Sequence, residues 1–329
     1  MIARDGHRSF LESAGWGSAA VRPLAGDASF RRYFRVEDRG RRAVLMDAPP
    51  TKEDVGPFIS IADLLLGAGF SAPRLIAADL SGGFLLLEDF GDRLLGPELA
   101  HGRADEEDAY TLAVDLLAEL HQLSPPASLK PYGRDELLRE VLLFTDWYAP
   151  AAGLTPDVEG YIAAWDSVWA GLLGETGQAP VLVLRDYHAE NLMLLPDRPG
   201  VQALGLLDFQ DARAGHRAYD LVSLLQDARR DVSQRIERSM LSRFVERAGI
   251  ADAMGFRCSY ELLGAQRNVK ILGIFIRLRD RDGRSGYVER LPRVWAHVER
   301  NLMHPALAPL RTWFDANVPA DRRAIWCAA

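Results

Sequence analysis

Residues 181–211 read VLVLRDYHAENLMLLPDRPGVQALGLLDFQD, and the order of apolar and polar runs in this stretch decides the fold. An apolar run, Val181 to Leu184, stops at Arg185-Asp186. A polar loop carries Tyr187, His188, Glu190 and Asn191, and two short apolar runs follow, Leu192 to Leu195 and Val201 to Leu207. Between them lies Pro196-Asp197-Arg198-Pro199-Gly200, which is turn chemistry, so the two runs are expected to pair as a β-hairpin. In an antiparallel pair the residue before the first strand lies beside the residue after the second. Asn191 and Asp208 are therefore expected to be neighbours although seventeen positions apart. An Asn carbonyl beside an Asp carboxylate is a pair of hard oxygen ligands of the kind Mg²⁺ accepts while keeping waters and phosphate oxygens. Asp186, on the same loop, is a separate carboxylate that could take a proton from an attacking hydroxyl. D-x-x-x-x-N alone is common in loops. The conjunction of loop, hairpin and a second acid, followed by Asp220 at the head of the helical pattern Leu221-Val222-Leu224-Leu225, raises a metal site to the level of a purely structural loop.

Asp186-Tyr187-His188-Ala189-Glu190-Asn191 resembles the D-x-H-x-x-N catalytic loop of the aminoglycoside phosphotransferase and choline kinase branch of the protein-kinase-like fold. Leu207-Asp208-Phe209-Gln210 is similar to that fold's metal-binding D-F-G segment, and Tyr219-Asp220-Leu221 to the Y-D-L that follows in this branch. The resemblance implies an α+β, bilobal protein-kinase-like architecture. A small antiparallel-sheet N-lobe would cover residues 1–88, a connection 89–93, and a larger, mainly helical C-lobe 94–329. It further implies Asp186 as catalytic base, Asn191 and Asp208 as ligands of Mg²⁺, ATP as phosphate donor, and a structural role for Asp220. In such phosphoryl transfer the protein positions the groups and neutralises charge and does little covalent work.

The 329-residue length suits a two-lobed plan, and 48% hydrophobic with 26% charged residues is the balance of a globular chain. No run reaches membrane length, and MIARDGHRSF has no apolar export core, so a cytoplasmic protein without membrane contact is expected; a monomer is the expected state. Cys258 and Cys327 have no metal-ligand spacing. A net charge of −7 argues against nucleic acid as a partner. Lys52, Lys130 and Lys270 are the only lysines, so a role a kinase gives to lysine must fall to Lys52 or to an arginine.

Along the chain, residues 7–15 suit a short helix, and Val21 to Val36 reads as strand, turn, strand. The turn, Gly26-Asp27-Ala28-Ser29, lets backbone N–H groups approach a phosphate, with Ser29 adding a hydroxyl; a plain hairpin turn is the alternative. Its place early in the chain is where kinase-like folds put the phosphate-covering loop. In the family pattern a lysine on the third strand reaches the α- and β-phosphates; here that position is Met46, which leaves Arg31, Arg32 or Lys52, with preference for Arg31 or Arg32. The helix Pro57 to Ala68 offers no glutamate partner. Phe84 to Leu87 leads into Glu88-Asp89-Phe90-Gly91-Asp92, where the resemblance implies adenine pairing with the Glu88 carbonyl and the Phe90 N–H. Helical patterns then run through Glu106–Leu123, Ile236–Val245, Tyr260–Leu278, Val294–Leu302 and Leu307–Phe314. Trp147-Tyr148 precede Ala149-Pro150 at a helix end, where a ring could present a flat face to a sugar, although aromatic residues at helical spacing are more often core.

LAGDASFRRYFRV, VLMDAPP, LLLEDFGD, the Trp147-Tyr148 stretch, LLDFQDA and QRNVKILGIFIRL together resemble one subfamily, the bacterial cell-wall amino sugar kinases of peptidoglycan recycling. That resemblance implies phosphorylation of the anomeric hydroxyl of N-acetylmuramate and N-acetylglucosamine. Arg185, His188, Gln210 and Arg213 are near enough to Asp186 in sequence to contact hydroxyl, acetamide or lactyl groups, with Arg213 or Arg185 meeting a lactyl carboxylate. Leu184 stands where the subfamily usually has the histidine of H-R-D. Two other readings share these residues: a kinase for another small alcohol, such as an aminoglycoside, choline or an amino acid, and a nucleotide-binding pseudokinase.

Overall fold

A computed structural model describes residues 3–24, 30–173 and 179–326 and divides the chain into two compact units. The first unit comprises Met1–Asp105 with Glu190–Ala212, the second Glu106–Ala189 with Arg213–Ala329. Residues 94–105 and 190–212, placed with the larger lobe on sequence grounds, thus pack with the smaller sheet-bearing one. The fold is α+β.

The first unit opens with helix α1 (His7–Ser13) and strands β1 (Ala20–Pro23), β2 (Arg32–Asp38) and β3 (Arg41–Asp47). Helix α2 (Gly56–Gly67), strands β4 (Leu75–Asp79) and β5 (Phe84–Glu88) and helix α3 (Leu95–Ala100) follow. The five strands form one antiparallel sheet in the order β1-β2-β3-β5-β4. Between β2 and β3 only Arg39 (φ +50°) and Gly40 (φ +80°) intervene, a two-residue turn whose left-handed backbone matches the strand twist. Alternation puts Phe34, Val36, Ala43, Leu45, Phe84 and Leu86 on one sheet face, buried with Phe10, Leu11 and Trp16. Asp47, wholly buried, ties the N-terminal segment to the sheet: it accepts from the Arg4 backbone N–H (3.0 Å) and Nε (2.5 Å) and from Arg32 (2.7 Å). The Gly26, Asp27 and Ser29 of the expected phosphate loop lie outside the described residues.

The second unit begins with α4 (Glu106–Leu120) and α5 (Arg134–Leu143). A single π turn (Phe144–Tyr148), a short helix α6 (Ala149–Ala151), helix α7 (Val158–Leu173) and strand β6 (Val181–Val183) come next. The chain then returns to the first unit for the hairpin β7 (Leu192–Leu194) and β8 (Leu204–Leu206). Strand β9 (Arg213–Gly215) pairs antiparallel with β6, a short strand that the sequence pattern does not announce. Helices α8 (Ala218–Leu225), α9 (Gln234–Arg247), α10 (Ala253–Asp280), α11 (Leu291–Leu302) and α12 (Ala308–Asn317) complete the unit. The 28-residue α10 is buried along most of its length, and Gly273 permits its approach to α5, since a Cβ there would fall 2.2 Å from the Leu143 carbonyl oxygen. Among the described residues no helix is long and apolar enough to cross a membrane.

Candidate active site

In the second unit the geometry starts from a buried carboxylate. Asp220, in the first turn of α8, accepts backbone hydrogen bonds from Leu184 (2.6 Å) and Arg185 (2.8 Å), one on each oxygen. Burial pushes its pKa up to about 7, while the two amide donors favour the ionised form. The loop is thus fixed through its backbone, so Leu184 in place of histidine leaves the segment anchored. Arg185 is held at φ +72°, a left-handed conformation that costs a side-chain-bearing residue about 1–3 kcal/mol.

The Arg185 guanidinium turns away from solvent and donates to Glu140 of α5 (2.5 Å), over the Tyr132 ring (5.3 Å). Glu140 is a four-donor hub: it also takes Lys270 (2.9 Å), Gln266 (3.1 Å) and the Tyr132 hydroxyl. This commitment displaces Arg185 from the sugar-binding role expected of it. Beside this hub Asp186 keeps a side chain 43% exposed, with Arg267 of α10 3.9 Å from its Oδ1. Desolvation would raise the Asp186 pKa, but Arg267, Lys270, Arg185 and Arg229 outweigh it and hold the carboxylate below its ordinary range. Asp186 is therefore an ionised, partly accessible carboxylate at neutral pH.

In the first unit, β7 and β8 pair with Leu192 opposite Leu206, and the Leu207 N–H donates to the Asn191 carbonyl (3.0 Å). Asp208 is the residue just past that bond, so the hairpin brings Asn191 and Asp208 to one end, as the sequence predicts. Asp208 sits at φ +57°, and Phe209, fully buried, stacks on Phe58 of α2 at 5.0 Å. Asp208 Oδ1 accepts from Gln210 Nε2 (2.9 Å) and lies 3.3 Å from the Arg31 guanidinium. Gln210, expected at the sugar, is therefore an Asp208 partner.

Arg31 stands just before β2 and Arg32 opens it, and the two neighbouring arginines go to different partners, a division the sequence could not show. Arg32 belongs to the buried Asp47 cluster, whereas Arg31, its side chain 10% exposed, lies between Asp208 and Glu53 (3.9 Å). Desolvation would lower the Arg31 pKa, but Tyr33, Asp208, Glu53 and Asp211 raise it, so the charge persists. Met46 is fully buried opposite Tyr33 and Leu85, and Lys52 is exposed 5.7 Å from the Phe30 ring.

The connection after β5 is braced by its side chains. Glu88 takes Arg74 (3.0 Å) and Arg198 (2.6 Å), and Arg35 joins Asp89 (2.7 Å), Asp92 (2.7 Å) and the Gly91 carbonyl (2.9 Å). The Phe90 ring lies against Gly205, where a Cβ would stand 2.6 Å from it. With these side chains committed, a nucleotide contact at Glu88 or Phe90 falls to backbone atoms.

Two further expectations are corrected. Tyr148 is fully buried, stacked on Phe144 at 5.0 Å, with its hydroxyl on the Arg322 carbonyl and the Trp295 Nε1 (both 2.8 Å). Pro150 has no N–H to give, and the Ala149 N–H reaches back to the Phe144 carbonyl, making the π turn. The extra residue in that turn rotates Tyr148 into the core and leaves Trp147 half-buried. His188 is likewise buried, and desolvation, with Arg229, Arg267 and Arg290, drives its pKa well below the usual histidine value, so it is a neutral ring inside the loop. Arg213 stands half-buried on β9 opposite Val183.

The sequence reading missed Glu53, Glu140, Arg267 and Lys270. The last two interrupt the apolar pattern of α10 three residues apart, on one helical face, which is the signal that could have marked them. As for a metal, no cluster of three His, Cys, Asp or Glu side chains exists among the described residues. One carboxylate and one amide oxygen at a hairpin end nevertheless suit a cation that takes its remaining ligands from water and phosphate.

Residues 20–256 match the model of the phosphotransferase enzyme family. The chain is 35% identical to N-acetylmuramate/N-acetylglucosamine kinase of Caulobacter vibrioides, over 96% of each chain. It is 38% identical to the protein of the same name from Pseudomonas aeruginosa, over 90% of this chain and 89% of that one. Among solved structures, the GDP complex of aminoglycoside 2'-phosphotransferase-IIIa superposes with a TM-score of 0.64 at 18% identity, covering 90% of this chain and 98% of that one. The catalytic-loop geometry, the matched span and the identity to these relatives lead to one assignment: the chain belongs to the phosphotransferase enzyme family.

Proposed function

We propose that the chain is a kinase that transfers the γ-phosphoryl group of ATP to the anomeric hydroxyl of N-acetylmuramate and N-acetylglucosamine. The observation that carries phosphotransfer is the ionised, accessible Asp186 on a loop whose backbone is clamped by Asp220. The amino sugars come from the names of relatives at 35% and 38% identity over most of the chain. We further propose that the enzyme acts as a cytoplasmic monomer.

An anomeric hydroxyl is more acidic than an ordinary alcohol, so a carboxylate of modest basicity suffices to take its proton. Asp186 accepts that proton as the sugar oxygen attacks phosphorus. Asn191 and Asp208 would hold Mg²⁺, which supplies neutralisation of phosphate charge. Arg31 supplies the fixed positive charge that Met46 cannot, and Glu53 and Asp208 hold its guanidinium. Backbone atoms of Glu88 and Phe90 receive the adenine. Trp147 and Arg213, both half-buried, remain the candidates for the sugar ring and the lactyl carboxylate.

ADP release with each amino sugar, measured for the parent and Asp186→Asn, tests this reading. Turnover by the parent and a loss of about 10²-fold or more in Asp186→Asn, at an unchanged unfolding midpoint, are expected. Parental turnover in Asp186→Asn would remove the base from the mechanism.

A further inference from the structure

We infer that Arg267 is a positioning residue for the Asp186 carboxylate, held on the buried side of the catalytic loop by Ser223 and Tyr219. The inference rests on the reading of Asp186 as the base. Arg267 is 4% exposed, in the middle of α10. Its guanidinium donates to Ser223 Oγ at 2.6 Å, stands 5.9 Å from the Tyr219 ring centroid and reaches to 3.9 Å from Asp186 Oδ1. Ser223, Tyr219 and the loop-clamping Asp220 all lie on α8, so one helix fixes both the loop backbone and the arginine behind its carboxylate.

The charges around the loop divide in a way that singles this residue out. Lys270 and Arg185 make their close ion pairs with the buried Glu140 and act on Asp186 from farther away. Among the described residues, Asp186 is the sole carboxylate within ion-pair distance of Arg267. A cation buried without a partner costs several kcal/mol; Asp186 is the nearest carboxylate to Arg267, with the more distant Asp220 and Asp227 adding to the negative field around it. The guanidinium plane, braced by the Ser223 hydroxyl, is a rigid surface against which a half-exposed carboxylate is limited in rotation. The same proximity appears in the electrostatics, where Arg267 is the largest of the charges opposing the desolvation of Asp186.

The full chain carrying Arg267→Met, Arg267→Lys, Asp186→Asn and the Arg267→Met/Asp186→Asn pair, assayed with ATP, Mg²⁺ and each amino sugar, tests this. Arg267→Met is expected to lower kcat roughly 10- to 100-fold for both sugars alike, with KM within about twofold, and Arg267→Lys to restore part of it. Because Arg267 acts through Asp186, removing it from Asp186→Asn should cost less than about twofold more. An unchanged kcat, a full additional loss in the double variant, or a KM rise confined to N-acetylmuramate overturns the inference, the last by making Arg267 a binder of the lactyl carboxylate. If Arg267→Met does not fold, Ser223→Ala removes only the tether, and a kcat loss of about threefold or more at constant KM is then required. Parental kcat in Asp186→Asn sinks the base reading and the inference with it, whereas an inactive Asp186→Asn beside a normal Arg267→Met sinks the inference alone.

Discussion

Replacing Glu140 by glutamine should destabilise the protein by about 3–5 kcal/mol, because it leaves the buried Arg185 and Lys270 without their counter-charge. The same figure follows from protonation. Burial would raise the Glu140 pKa, but Lys270, Arg185 and the Tyr132 hydroxyl bring it down from 4.5 to about 2. A fall of about 2.5, at 1.36 kcal/mol each, is a contribution of about 3 kcal/mol. Since the folded state holds the carboxylate ionised, this stability is fully present above pH 4.5 and is lost as pH falls toward 2. Urea unfolding of parent and Glu140→Gln, repeated from pH 7.5 downward, measures it. The gap between the two proteins is expected to be about 3 kcal/mol at pH 7.5 and to narrow steadily below about pH 4.5. A gap under about 1 kcal/mol at pH 7.5, or one that stays constant across the range, would refute the view that Glu140 is the electrostatic anchor of the catalytic loop. Where Glu140→Gln stays folded, freeing Arg185 beside the base should also lower kcat.

Asp220→Asn presents an amide N–H₂ to one of the two loop N–H groups, so it should lose about 2–3 kcal/mol by thermal unfolding and lower kcat more than it changes either KM. A stable, fully active Asp220→Asn would mean that the loop is held by other contacts. Arg31→Met should weaken the binding of a fluorescent ATP analogue about tenfold while leaving the sugar KM unchanged, with partial recovery in Arg31→Lys. An effect on sugar KM alone would place Arg31 elsewhere in the mechanism.

The residues whose meaning was local were legible in the sequence. The apolar runs on either side of Pro196–Gly200 pair as β7 and β8 and bring Asn191 and Asp208 to one end, although Gly200–Ala203 forms a 3-10 turn, so the second strand begins at Leu204 and not at Val201. Asp186 and Asp220 were marked by their places at a strand end and a helix start. What failed depended on contacts distant in sequence. Glu140 and Lys270 are 130 positions apart and meet only because α5 packs on α10, and no periodicity in either helix names its partner. Arg31 and Arg32 are adjacent at the start of β2, yet one goes to Asp208 and the other to Asp47. Tyr148 was expected to present an open ring because it precedes Ala149-Pro150 at a helix end, but the chain continues through a π turn that stacks it on Phe144.

The central claim is that Asp186 activates the anomeric hydroxyl of an amino sugar toward ATP. Phosphorus NMR of the parent protein with ATP, Mg²⁺ and N-acetylmuramate reads this directly, since the site of the new ester is visible in its coupling to the sugar protons. The account predicts a phosphate at C1 of the sugar, formed by the parent and lost in Asp186→Asn. A phosphate on any other hydroxyl, or ATP bound by the parent with no sugar ester formed, would contradict it.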